Sequence, residues 1–135
     1  MEEKMFTVRS ILSDRELIFS PCEEPDRYRV EIKSSEISAS IEIFQHAVGE
    51  SLAAYFRHLA SFRAPWTDPQ EWRTWDPDLR ISATCNNHGH VLFRIIFAAG
   101  YIVYQSVESW EANIGLETTL GELDKIASNA STFFQ

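Results

Sequence analysis

The sequence predicts an α+β fold: a mostly antiparallel sheet of about seven strands in the order ββββ-α-βββ-α, with two helices packed on one face. Three observations predict it. Residues Tyr28 to Ile43 alternate between apolar and polar, the period of half-buried strands. From Val48 the spacing changes to three and four residues, the period of a helix. A second helical period closes the chain, and hairpin-type turns separate the remaining apolar runs.

Met5 to Leu12 reads as a first strand, with Phe6, Val8 and Ile11 as inward candidates. Ser13-Asp14 is a turn signal, and Glu16 to Phe19 a short second strand. Ser20 to Asp26 is a loop with two prolines and three carboxylates. Next, Tyr28, Val30 and Ile32 oppose Arg29, Glu31 and Lys33. Ser34-Ser35 breaks the run, and alternation resumes over Glu36 to Ile43. These two segments predict a hairpin with one wet face, bearing Arg29, Glu31, Glu36, Ser38, Ser40 and Glu42.

Val48, Leu52, Phe56, Leu59 and then Phe62 or Arg63 trace a helical face. Gly49-Glu50 marks its start, because a carboxylate suits the positive end of the helix dipole. Pro65 stops it. Arg63 to Pro77 reads as a long loop. Leu79 to Ala83 alternates with Arg80, Ser82 and Thr84, and Asn86-Asn87-His88-Gly89 tolerates the positive φ of a turn. His90 to Phe97 is a strand, Ala99-Gly100 a turn, and Tyr101 to Trp110 or beyond the last strand. Thr119-Leu120-Gly121-Glu122 matches a capping box. After it, Leu120, Leu123, Ile126 or Ala127, Ala130 and Phe133 or Phe134 trace one apolar face.

The 135 residues fit one domain over 1–135, and 44% hydrophobic with 13% aromatic residues suffices for a core without a covalent staple. Twenty acidic against 12 basic residues leave a net charge of −8. Nucleic-acid binders and proteins of anionic membranes need clustered Lys and Arg, so neither partner is expected. A basic protein partner suits the balance through electrostatic steering, although acidity also serves plain solubility. Two distant cysteines, Cys22 and Cys85, are read as reduced thiols. The opening residues lack the basic and apolar regions of a signal peptide, so a cytoplasmic address is expected.

Three stretches together resemble an uncharacterised bacterial family, a domain of unknown function common in actinobacteria. They are Gly49-Glu50 with Leu52 and Phe56; Asp78 to Thr84 running into His88-Gly89-His90-Val91; and Trp110 followed by the helix ending in Phe133-Phe134. The resemblance implies this fold and carries no activity. In size, charge and build the chain is more loosely similar to small acidic immunity proteins.

No catalytic, cofactor or metal site is expected. His88 and His90 could begin a zinc site with Cys85 or His46, but a polar hairpin tip is the better reading, because a site needs three or four placed ligands. Cys85 lacks a nucleophile signature. The carboxylates beside Cys22 oppose its thiolate. The acidic pairs are explained by solvated loops.

The loop after the first helix carries the binding expectation. Trp66, Trp72 and Trp75 are interleaved with Asp68, Glu71, Arg73, Asp76 and Asp78. Tryptophan and arginine are enriched at binding hot spots, yet these rings could also cap the core. The expected function is a non-enzymatic protein-binding domain: an immunity or inhibitor protein, monomer or homodimer, that occludes a basic bacterial toxin. The alternative is a small-molecule site or minor enzyme, with a pocket lined by Tyr55, Trp75, Tyr101 and Tyr104. Mimicry of nucleic acid by rows of carboxylates is a third possibility.

Overall fold

Eight described strands form two antiparallel four-stranded sheets, each a simple meander. The structure is a computed structural model that describes residues 4–75, 78–99 and 107–134, with side chains of 45–51 outside the description. The first sheet holds β1 (Phe6–Arg9), β2 (Glu16–Pro21), β3 (Arg27–Lys33) and β4 (Ser38–Phe44), in that order. Helix α1 (Gln45–Ala60) follows. The second sheet holds β5 (Gln70–Arg73), β6 (Leu79–Cys85), β7 (His90–Ala99) and β8 (Trp110–Thr119). A 3-10 turn (Leu120–Glu122) leads into α2 (Leu123–Phe133).

The α+β class and the antiparallel pairing are as expected. One seven-stranded sheet is not. The residues read as a long loop contain β5, which pairs with β6 and opens a second sheet. Only four residues long and following Pro69, it carries too little pattern for sequence reading.

Alternation explains the strands. Phe6, Val8, Leu17, Phe19, Tyr28, Val30 and Ile32 are buried, and their neighbours face outward. The β3–β4 hairpin exists with Lys33 opposite Ser38, so its break is the four-residue turn Ser34–Ile37. The Ser34 hydroxyl accepts from the Glu36 and Ile37 amides at 3.1 and 3.0 Å, which fixes that turn. At the β6–β7 tip, the Asn86 side-chain oxygen accepts from the His88 and His90 amides, and Gly89 takes φ 77°. That value favours glycine.

Helix α1 begins at Gln45, directly after β4, and not near Gly49. It ends at Ala60, and Phe62 beyond it still packs on the core. Arg57 and His58 in its last turn complement the negative end of the dipole. The expected capping box is absent: Thr119 ends β8 in extended backbone and its hydroxyl caps nothing. The following amide, that of Leu120, donates instead to the Gly89 carbonyl at 2.9 Å. Across α2, Leu123, Ala127, Ala130 and Phe133 make the buried stripe.

One core unites both sheets and both helices. Phe56 of α1 is its bridge. Its ring lies 5.4 Å from Phe6 of the first sheet and 6.2 Å from Phe93 of the second. Phe133 and Phe134 close the cluster over Tyr28. Burying each such ring contributes about 1.5–3 kcal/mol. The sheets meet where β1 lies beside β8. There the β1–β2 turn bonds to β8: the Ile11 amide donates to the Glu117 carbonyl at 2.9 Å, and the Glu117 amide to the Ser10 hydroxyl at 3.3 Å. Arg15 adds a 3.0 Å bond to the Gly115 carbonyl.

Candidate functional site

The expected Trp-rich segment divides into a structural part and a surface part. Trp66 is structural. It is 7% exposed, stacks on Phe62 with ring centroids 4.5 Å apart, and donates its indole N–H to the Ala83 carbonyl at 3.0 Å. Its own carbonyl accepts the Cys85 amide at 3.2 Å. The residue thereby fastens the chain to β6 before β5 begins. Trp72 is half-buried against the core, on the inner face of β5. Trp75 is 91% exposed. Asp68 is exposed and Asp78 half-buried, and Asp76 lies outside the described residues.

Helix α1 positions the start of β5. The Tyr55 hydroxyl donates to the Gln70 carbonyl at 2.8 Å, and His58 Nε2 lies 2.9 Å from Gln70 Oε1. Burial pushes the Tyr55 phenol well above its ordinary range, and the Glu71 charge adds to the rise.

Two hydrogen bonds fix which way the β5 peptide groups face. The Thr74 amide donates to the Leu79 carbonyl at 3.0 Å, and the Cys85 amide of β6 points toward the same side, to Trp66. Peptide groups alternate in direction along a strand. Given the register Trp72↔Ile81, Gln70, Trp72 and Thr74 turn theirs to β6. Glu71 and Arg73 turn theirs away from the sheet. Among the described residues no further hydrogen bond reaches these two peptide groups. An open edge of this kind is a template for another strand. At the opposite edge of the sheet, β8, the β1–β2 turn bonds to Gly115 and Glu117.

The outer face beside this edge carries three arginines, Arg73, Arg80 and Arg94, with Glu71, Glu111 and Glu117 on the same face. Register places Arg73 opposite Arg80, and Ser82 between Glu71 and Arg94. Arg80 reaches Glu111 at 3.7 Å, while Arg94 donates to the neutral Asn113 side chain at 3.1 Å. Arg73 has no ion pair among the described residues. Arg80 and Arg94 thus reach toward β8, and Arg73 is the arginine carried by the edge strand itself. A hollow of about 370 Å³ opens here, lined by Glu71, Arg73, Arg80, Ser82, Arg94 and Ile96 among others. Arg94 also lines a second hollow, between the sheet and the β1–β2 turn, with exposed Leu12 and Leu92.

Sequence reading named Glu71, Arg73 and Trp75 and missed Arg80 and Arg94 as site residues. Their signal was available only in part: both occupy outward positions of alternating strands. Nothing in linear order brings them beside Arg73.

The other candidates sit apart. His88 and His90 have ring centroids 6.4 Å apart, and His90 Nδ1 lies 3.3 Å from a Glu117 carboxylate oxygen. Among the described residues no three His, Cys, Asp or Glu side chains converge as metal ligands. Cys85 is buried, and that burial pushes its thiol up. The Cys22 thiol is also raised, by burial first and then by Glu42, whose carboxylate oxygen lies 3.6 Å away. Both shifts disfavour the nucleophilic thiolate. Of the four rings expected around an internal pocket, Tyr55 is buried and Trp75 projects outward, while Tyr101 and Tyr104 lie outside the described residues. No described helix is long and apolar enough to cross a membrane.

A family model, DUF6228, a family of unknown function, matches residues 3–135. The match spans nearly the whole chain, which therefore belongs to that family. This bears out the resemblance at the level of an uncharacterised family. No curated protein matches the sequence.

Proposed function

For this member of a family of unknown function we propose a non-enzymatic protein-binding role, centred on the β5 edge and Trp75. The observation that carries it is Trp75 itself, 91% exposed immediately after an edge strand with outward peptide groups. A free tryptophan side chain exposes on the order of 200 Å² to water, and burying it against a partner is strongly favourable. Tryptophan and arginine are also the residues most enriched at interface hot spots. Arg73 and Glu71 beside it supply polar specificity.

The form of binding we propose is that of an immunity or inhibitor protein in the bacterial cytoplasm, occluding a toxin. The net charge of −8 supports a partner that is basic overall, steered from a distance by the field of the whole chain. Occlusion needs no catalytic group.

The test uses the intact tagged protein and its Trp75→Ala variant as baits in extracts of the native organism. One protein retained in stoichiometric amount by the wild type, and bound at least tenfold more weakly by the variant, supports the reading. Co-expression should then relieve that protein's toxicity. Retention of nothing, or equal retention by both baits, contradicts it.

A further inference from the structure

We propose that the β5 edge receives an extended segment of the partner protein as an added strand, and that a carboxylate of that segment pairs with Arg73. The inference rests on the protein-binding reading above and specifies what the partner must carry.

The edge supplies the first half of the argument. Glu71 and Arg73 each turn an N–H and a C=O away from β6, so a strand lying beside β5 finds donors and acceptors already in ladder geometry. Such a strand runs about 4.8 Å away. Its side chains alternate, and every second one joins the outer face beside Glu71 and Arg73.

The charges supply the second half. Arg73 and Arg80 face one another directly, an unfavourable pairing in a sheet. A carboxylate placed opposite Arg73 relieves that repulsion and accepts the paired N–H groups of a guanidinium. The hollow of about 370 Å³ beside Glu71 and Arg73 provides room for it. A lysine at the same position meets the like charge of Arg73. Two residues along the added strand, the side chain lies opposite Glu71. That position favours Lys, Arg, Ser or Thr. The geometry therefore specifies a short pattern: Asp or Glu, any strand-forming residue, then a cation or hydroxyl, in either chain direction.

A basic partner and an acidic anchor are compatible because they act at different ranges. Beyond about 8–10 Å the partner senses the net charge of the whole chain, and at contact it senses Arg73. A free inorganic anion would meet the arginines but leave the peptide edge unused.

The experiment selects a displayed library of randomised heptapeptides on the intact protein. The expected outcome is enrichment of Asp or Glu at one position, with Lys, Arg, Ser or Thr two residues away. Selection on the Arg73→Glu variant should exchange the acidic residue for Lys or Arg. Individual acidic peptides should bind at least tenfold more weakly to Arg73→Gln, a variant whose native amide spectrum shows that it folds. No enriched pattern, or an acidic preference untouched by Arg73→Glu, overturns the proposal. If a partner is retained through Trp75 and binds Arg73→Glu as well as wild type, protein binding stands and strand addition with a carboxylate anchor falls.

Discussion

Arg73 stands directly opposite Arg80 in the β5–β6 register, and among the described residues the one carboxylate paired with either is Glu111, 3.7 Å from Arg80. Facing like charges destabilise a sheet by about 0.2–1 kcal/mol. Functional surfaces commonly carry such local costs. Replacing Arg73 with Thr, a good strand residue, should therefore stabilise the fold by a few tenths of a kcal/mol at low salt. The gain should shrink as salt screens the repulsion. Urea denaturation at two ionic strengths checks this, and a loss of stability on substitution would show that Arg73 is paired.

Trp66 and Trp75 should behave as opposites. Trp66→Ala removes a buried ring and its bond to the Ala83 carbonyl, and should cost about 3–5 kcal/mol. Trp75→Ala should change stability by no more than about 0.5 kcal/mol. Denaturation midpoints of the two variants measure the contrast. Acrylamide quenching of the single-substitution proteins should show that Trp75 is the most accessible fluorophore, ahead of the partly exposed Trp110.

Proline at neighbouring positions of β5 tests the direction of its peptide groups. Glu71→Pro removes an outward N–H that the ladder does not use, so the fold should tolerate it as edge strands do. Trp72→Pro removes an inward N–H and a half-buried ring. It should cost at least about 2–3 kcal/mol more. Thermal unfolding of the pair gives the difference. The same Glu71→Pro protein should lose strand-adding peptides while keeping its native spectrum.

Tyr55 should make stability fall at alkaline pH. Its folded phenol is raised, by burial first and by Glu71 second, so the group favours the folded state while protonated. That contribution is fully present below the ordinary phenol value of about 10 and is lost as pH rises through the higher folded value. Tyr55→Phe should lower stability at neutral pH by about 0.5–1.5 kcal/mol, through the lost bond to Gln70. Above about pH 10 the variant should decline less steeply than wild type. Urea unfolding across this range measures both effects.

The contrast between Trp66 and Trp75 also shows how far a sequence can be read. The β3–β4 hairpin is legible because one face is wet, so Arg29, Glu31 and Glu42 mark every second position. The α2 stripe is legible for the same reason at helical period. Strand β5 is not, because Gln70 to Arg73 spans barely two alternations between Pro69 and the next turn. The split into two sheets is invisible because it depends on β5 choosing β6, a tertiary pairing. The three tryptophans are chemically alike. Only the path of the chain over Ala83 buries one and leaves another in water. Arg80 and Arg94 join Arg73 through register, which linear spacing does not contain.

The most direct test of the account is residue-by-residue amide hydrogen exchange across β5, in the free protein and with a selected heptapeptide bound. The account predicts slow exchange at Trp72 and Thr74 in the free protein, fast exchange at Glu71 and Arg73, and marked slowing of Glu71 and Arg73 when the peptide binds. Glu71 and Arg73 amides already protected in the free protein, or unchanged by a bound peptide, would contradict it.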